Sequence, residues 1–215
     1  MTKIKKRVTT LLKWAGYTAL LLAGIQVTTW ATLHGARQTL HEQRRELLAA
    51  KVDSARRYCL REKINTDFCI LVDMKMHSGK KRFFVWDLSA DTLILSSLVA
   101  HGSGGESTAS TPAFSNVPGS HCTSLGKYRV GARAPSRWGI RVHYKLHGQE
   151  STNNNAYKRI VVLHSFDYIP ARETYPLHLP LGMSLGCPVI NNTAMTRLDA
   201  LLSQQKKPTL LWIYD

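Results

Sequence analysis

The sequence predicts a mainly β body with short helices, preceded by a membrane helix and a helical stalk. Three observations carry this: an uncharged run from Trp14 to Leu33, a helical period from Ala36 to about Lys63, and a change after Asn65 to short runs rich in β-branched and aromatic residues. The 215 residues leave room for one domain of ordinary size beside the leading segments. The expected boundaries are 1–33, 34–65 and 66–215.

In the first segment, Lys3, Lys5, Lys6, Arg7 and Lys13 precede the uncharged run. At about 1.5 Å of rise per residue that run matches a hydrocarbon layer of roughly 30 Å. The basic flank favours retention in the cytoplasm, which places everything after His34 on the outer, periplasmic side of a single-pass membrane protein. Cleavage as a signal peptide is the alternative, with Thr29-Trp30-Ala31 as the best small-residue site and a secreted body as the result. The stalk reading rests on Leu40, Leu47, Leu48, Val52 and Ala55, which recur at near-helical spacing among Arg, Glu and Gln.

Strands are expected at Phe68–Met74, Arg82–Trp86, Thr92–Val99, Gly126–Val130, Arg141–Leu146, Arg159–Leu163 and Thr209–Tyr214. Gly102–Gly119, rich in Gly, Ser, Thr and Pro, reads as a long loop of the kind that often serves a site. A short helix is expected from Thr193 to Gln204, with Asn191 or Asn192 as its cap and Pro208 beyond its end.

The formal net charge is +15; the first 33 residues hold five of the 29 Lys and Arg and none of the 14 Asp and Glu, so the remainder stays at +10. A basic exported body suits a polyanionic partner such as cell wall or anionic lipid headgroups. No nucleic-acid module accompanies the charge, so nucleic acid is not an expected partner. Cysteines 59, 69, 122 and 187 form no C-x-x-C pair and have no zinc-ligand spacing, so neither a metal nor a cofactor is expected. Cys59 and Cys69 flank one short turn and are the easiest disulfide to imagine, with two free thiols equally allowed.

Cys187 stands in Gly182-Met183-Ser184-Leu185-Gly186-Cys187-Pro188, a small, turn-prone loop that can expose a thiol and aim backbone N–H groups at an oxygen. His164 ends the apolar run Ile160–Leu163, where a side chain can face a cleft. A cysteine nucleophile needs a lowered pKa, which an adjacent imidazolium supplies. Taken alone, both residues also fit ordinary structural positions.

Val161-Val162-Leu163-His164, about twenty intervening residues, and Ser184-x-Gly186-Cys187 together resemble the signature of the L,D-transpeptidase (YkuD-type) families. A second block is similar to the murein L,D-transpeptidase branch: Phe114-Ser115-Asn116, Gly119-Ser120-His121, Ser124-Leu125-Gly126, then Gly148, Asn155-Ala156 and Arg159. The resemblance implies a YkuD-like β-sandwich, peptidoglycan stem peptides as substrate, Cys187 as nucleophile and His164 as base. It further implies that Ser184 fixes the histidine or lines the donor pocket, and that amides around Gly186 form the oxyanion hole. The chain departs from the family pattern at Leu185, where a histidine is usual, and at Pro188-Val189, where an arginine is expected. Arg159 is the expected replacement for that arginine as the substrate-carboxylate contact, and His101, Asn116, Ser120 and His121 are expected to border the substrate. The same acylation machinery would serve a transpeptidase, an L,D-carboxypeptidase or a cysteine peptidase, and a silent peptidoglycan-binding module is the non-enzymatic alternative.

Overall fold

The computed structural model describes the backbone of residues 2–215; between residues 2 and 44 it describes the side chains of only 14, 17, 18, 22–30, 32 and 42. The chain divides into two compact units, 1–50 and 51–215. Helix α1 is Thr2–Arg61. Among the described residues no helix is long and apolar enough to cross a membrane, which does not bear out the expected spanning segment Trp14–Leu33. That run is diluted by Thr28, Thr29 and Thr32, whose hydroxyls donate to carbonyls three and four residues earlier at 2.8–3.0 Å. The side chains of 15, 16, 19–21, 31 and 33 lie outside the described residues.

The second unit begins inside the expected stalk, because Val52, Ala55 and Cys59 are buried and belong to the core of the body. Its elements are β1 (Phe68–Asp73), β2 (Phe83–Asp87), β3 (Thr92–Ser97), β4 (Val99–Ala100), β5 (Gly126–Pro135), β6 (Val142–Gly148), β7 (Val162–Ser165), β8 (Val189–Ile190), α2 (Asn192–Leu202) and β9 (Thr209–Tyr214). The strands form one sheet in the order β3-β2-β1-β9-β5-β6-β7-β8-β4, with β1·β9 and β7·β8 parallel. Only Leu98 separates β3 from β4, yet they occupy opposite ends of that order. The body is mainly β with short helices, as expected, and the sheet curls until its edges meet, a barrel-like closure where a β-sandwich was expected.

The inner face is filled by alternate residues, such as Tyr128 and Val130 from β5 and Val142, Tyr144 and Leu146 from β6. Helix α2 adds Ala194, Met195, Leu198 and Leu202, spaced to lie on one face. Asn191 caps it by accepting from the amide of Ala194 at 2.9 Å, and its Nδ2 donates to Ser97 at 2.7 Å. Cys59 and Cys69 are both free and buried, the alternative to a disulfide that the sequence left open.

The strand expected at Arg159–Leu163 starts three residues later. Amides of Ala156, Arg159 and Ile160 close successive turns onto Asn153, Asn155 and Tyr157, and Ile160 has φ +58°. Strand β7 consequently contains His164 rather than ending before it.

Candidate active site

Along β7, Leu163 and Ser165 point into the core, while Val162 and His164 are half-buried on the other face. The parallel register aligns His164 with Val189, two residues beyond Cys187. The next chain thus carries the thiol alongside β7: the amide of Val162 donates to Cys187 Sγ at 3.4 Å, and Sγ lies 3.9 Å from the carbonyl oxygen of Ile160. Cys187 and His164 line one cavity of about 540 Å³.

His164 Nδ1 lies 3.0 Å from the carbonyl oxygen of Ser165. A carbonyl only accepts, so Nδ1 carries the proton and Nε2 keeps its lone pair, the tautomer a base needs. Burial lowers the pKa of His164; the Ser165 bond opposes this, and nearby His143 lowers it further. Burial pushes the Cys187 thiol up, against the Val162 N–H and Arg159, which favour the thiolate. Burial thus favours the neutral form of each of the two groups.

The turn before Cys187 is closed by Ser184. Its hydroxyl donates to the carbonyl of Cys187 at 2.6 Å and accepts from the amide of Gly186 at 3.0 Å, and its own carbonyl accepts from Ser103 at 3.0 Å. Ser184 lines the cavity but holds the turn, not the histidine. The Gly186 amide is engaged by that hydroxyl and is not a free oxyanion donor. Gly186 has φ +109°, and a Cβ there would fall 2.6 Å from the carbonyl oxygen of Cys122, so only glycine fits.

Arg159 is placed behind the nucleophile. Its guanidinium donates to the carbonyls of Ser115 (2.8 Å) and Cys122 (2.7 Å), to Ser120 Oγ (3.3 Å) and to Ser124 Oγ. It organises the 115–124 loop and is not among the residues that line the cavity, where a carboxylate contact was expected of it. Asn116 ties the same loop to Ser151, Asn154 and Asn155 at 2.7–3.2 Å. His121, with φ +54°, is exposed outside the cavity. His101 is buried against Arg82, accepting at Nδ1 from its guanidinium at 2.9 Å and donating from Nε2 to the carbonyl of Thr108 at 2.8 Å. His101, Asn116, Ser120 and His121 thus build the surroundings and do not line the cavity.

A model of the L,D-transpeptidase catalytic domain matches residues 40–214. The chain belongs to this family. No curated protein matches it. Similar solved structures include Bd1075 from Bdellovibrio bacteriovorus, with 19% identity, TM-score 0.44 and coverage of 72% of this chain and 49% of that one. The helical cell shape determining protein Pgp2 from Campylobacter jejuni shows 11% identity and TM-score 0.46, over 69% and 47%. An L,D-transpeptidase from Xylanimonas cellulosilytica shows 13% identity and TM-score 0.37, over 70% and 61%. The matched region spans about half the length of the first two.

In this L,D-transpeptidase domain the cavity lining also includes residues that the sequence did not single out: Arg137 and Trp138 at the β5–β6 hairpin tip, His143, Phe166 and Met183. His143 stands directly opposite His164 in the β6·β7 register. Period-two alternation separates His143 from the buried Val142 and Tyr144, a usable signal, but only the pairing with β7 reveals which element it faces. The hairpin tip is docked on β7 through the amide of Ile140, which donates to Ser165 Oγ at 3.1 Å, and through Trp138, whose ring meets Phe166 edge-on at 5.5 Å.

Proposed function

We propose that this domain is a cysteine-dependent L,D-transpeptidase acting on peptidoglycan stem peptides. The observation that carries the reading is the placement of Cys187 and His164 on adjacent chains of one cavity, with Nε2 of the imidazole unprotonated. His164 Nε2 takes the thiol proton as Sγ attacks the carbonyl that joins the L-centre of a diaminopimelate-type residue to a terminal D-alanine. The amide of Cys187 itself is the donor for the resulting oxyanion, since that of Gly186 is held by Ser184. Collapse breaks the C–N bond, the imidazolium protonates the departing amine, and a thioester remains on Cys187. An amine of a second stem peptide then attacks the thioester; the C–S bond breaks as the new C–N bond forms, and His164 takes the amine's proton and passes it to the sulfur, restoring the thiol.

This chemistry requires the body to work where the wall is, outside the cytoplasm, with residues 1–33 directing export. Protease added to cells with a permeabilised outer layer and an intact inner membrane should degrade the body; complete protection of residues 51–215 would overturn that placement. The purified full chain, incubated with tetrapeptide muropeptides, is expected to release D-alanine and form crosslinked dimers, and Cys187→Ala to do neither. Identical products from the two proteins would refute the enzyme, and D-alanine release without dimers would reassign it as a carboxypeptidase.

A further inference from the structure

We propose that Arg137 forms an anion subsite in the cavity wall that receives the carboxylate of the donor's terminal residue. The inference rests on reading Cys187 as the acylated nucleophile. Among the residues that line the cavity, Arg137 is the only permanently charged one, and no Asp or Glu accompanies it. Among the described residues no acceptor engages its guanidinium, whereas Arg159, the other cation near the thiol, makes four bonds to loop oxygens through its two terminal nitrogens. An unpaired guanidinium with five donors is suited to a carboxylate, which it can grip with two parallel bonds.

The tip that carries Arg137 is fixed. Ser136 N donates to the carbonyl of Arg141 at 2.9 Å, Arg141 N to that of Trp138 at 3.0 Å, and Trp138 N to Ser136 Oγ at 3.1 Å. The Arg141 guanidinium holds the carbonyl of Arg137. Together with the Ile140–Ser165 bond, these contacts fix the backbone of the exposed Arg137 at the rim of the cavity that contains the nucleophile, and leave its guanidinium free to meet a ligand. Under the proposed reaction the leaving group is an amino acid, whose carboxylate is the one full negative charge beside the scissile bond. A cation here orients that bond and draws anionic donors to the cavity.

The test compares alkylation of Cys187 in the full chain by iodoacetate, an anion, and iodoacetamide, its neutral counterpart, followed by mass spectrometry of the Cys187 peptide. Arg137→Gln is expected to slow iodoacetate about two- to fivefold relative to iodoacetamide. Arg137→Lys should retain part of the preference, and 0.5 M salt should erase most of it in the unchanged protein. A ratio unaffected by Arg137→Gln, with the iodoacetamide rate intact, overturns the subsite and leaves the nucleophile standing. Failure of both reagents to label Cys187 in the unchanged protein overturns the nucleophile and the subsite together. With peptides, Arg137→Gln should raise KM for a donor ending in a carboxylate and leave that for the terminal carboxamide unchanged.

Discussion

The hydroxyl of Ser184 donates to the carbonyl of Cys187 and accepts from the amide of Gly186, so one side chain closes the turn that presents the nucleophile. Ser184→Ala leaves both backbone groups without that partner in a buried setting. The expected cost is about 1–3 kcal/mol of stability, read by urea unfolding. D-alanine release should fall roughly 10- to 100-fold, because small misplacements of a reacting atom are expensive in rate.

The pH profile should carry the signature of the buried imidazole. His164 must be neutral to accept the thiol proton, and its pKa lies below the ordinary histidine value because of burial and His143. The acid limb of kcat/KM is therefore expected below about pH 6.5, with activity rising as pH increases through it. Replacing His143 by Gln removes one of the influences that lower the pKa, so the limb should move to higher pH.

Strand content was legible where short apolar runs rich in β-branched and aromatic residues stand out, as in β1, β2 and β9, which begin within one residue of expectation. The cap at Asn191 was also legible, as were the short motifs around Cys187 and His164 that the fold brings to one cavity. The rest of the cavity lining was not. Arg137 and Trp138 reach the site because β6 pairs with β7 and Ser165 anchors the hairpin tip, relations between segments some 25 residues apart. The setting of Arg159 was hidden for a related reason: the four oxygens that surround it come from a loop 35 to 44 residues earlier in the chain.

Arg159 should matter more for the loop than for substrate affinity. Lysine offers a point charge and cannot reach two carbonyls and two hydroxyls in the same geometry. Arg159→Lys is expected to cost about 1–3 kcal/mol in urea unfolding. Because the lost contacts position the turn at Gly186, kcat should drop while KM stays nearly constant.

Stability should also decline in mild acid through His101. Burial holds its pKa below the ordinary value, with the Thr108 bond opposing and Arg82 and His178 lowering it further. Below about pH 6.5 the unfolded chain binds a proton that folded His101 does not, so unfolding free energy falls as pH falls through that window. Protonation at Nδ1 would also remove the acceptor that Arg82 uses. Thermal melts at pH 7.5 and pH 5.0 should show a lower Tm at pH 5.0, and His101→Gln should narrow the gap.

Gly139 links the hairpin tip to the base. It has φ +54°, and a Cβ there would fall 2.1 Å from Ser165 Oγ and 2.5 Å from the Ser165 carbonyl oxygen. That carbonyl is the acceptor that fixes the His164 tautomer. Gly139→Ala must therefore either lift the tip that carries Arg137 or push the Ser165 carbonyl away from Nδ1. Stability should fall by about 1–2 kcal/mol from the strained backbone alone. D-alanine release should fall by more than that loss of folded population explains. Adding Ser165→Ala removes the hydroxyl clash but leaves the carbonyl clash, so activity should stay low in the double variant; full recovery would place the constraint in the Ser165 hydroxyl alone.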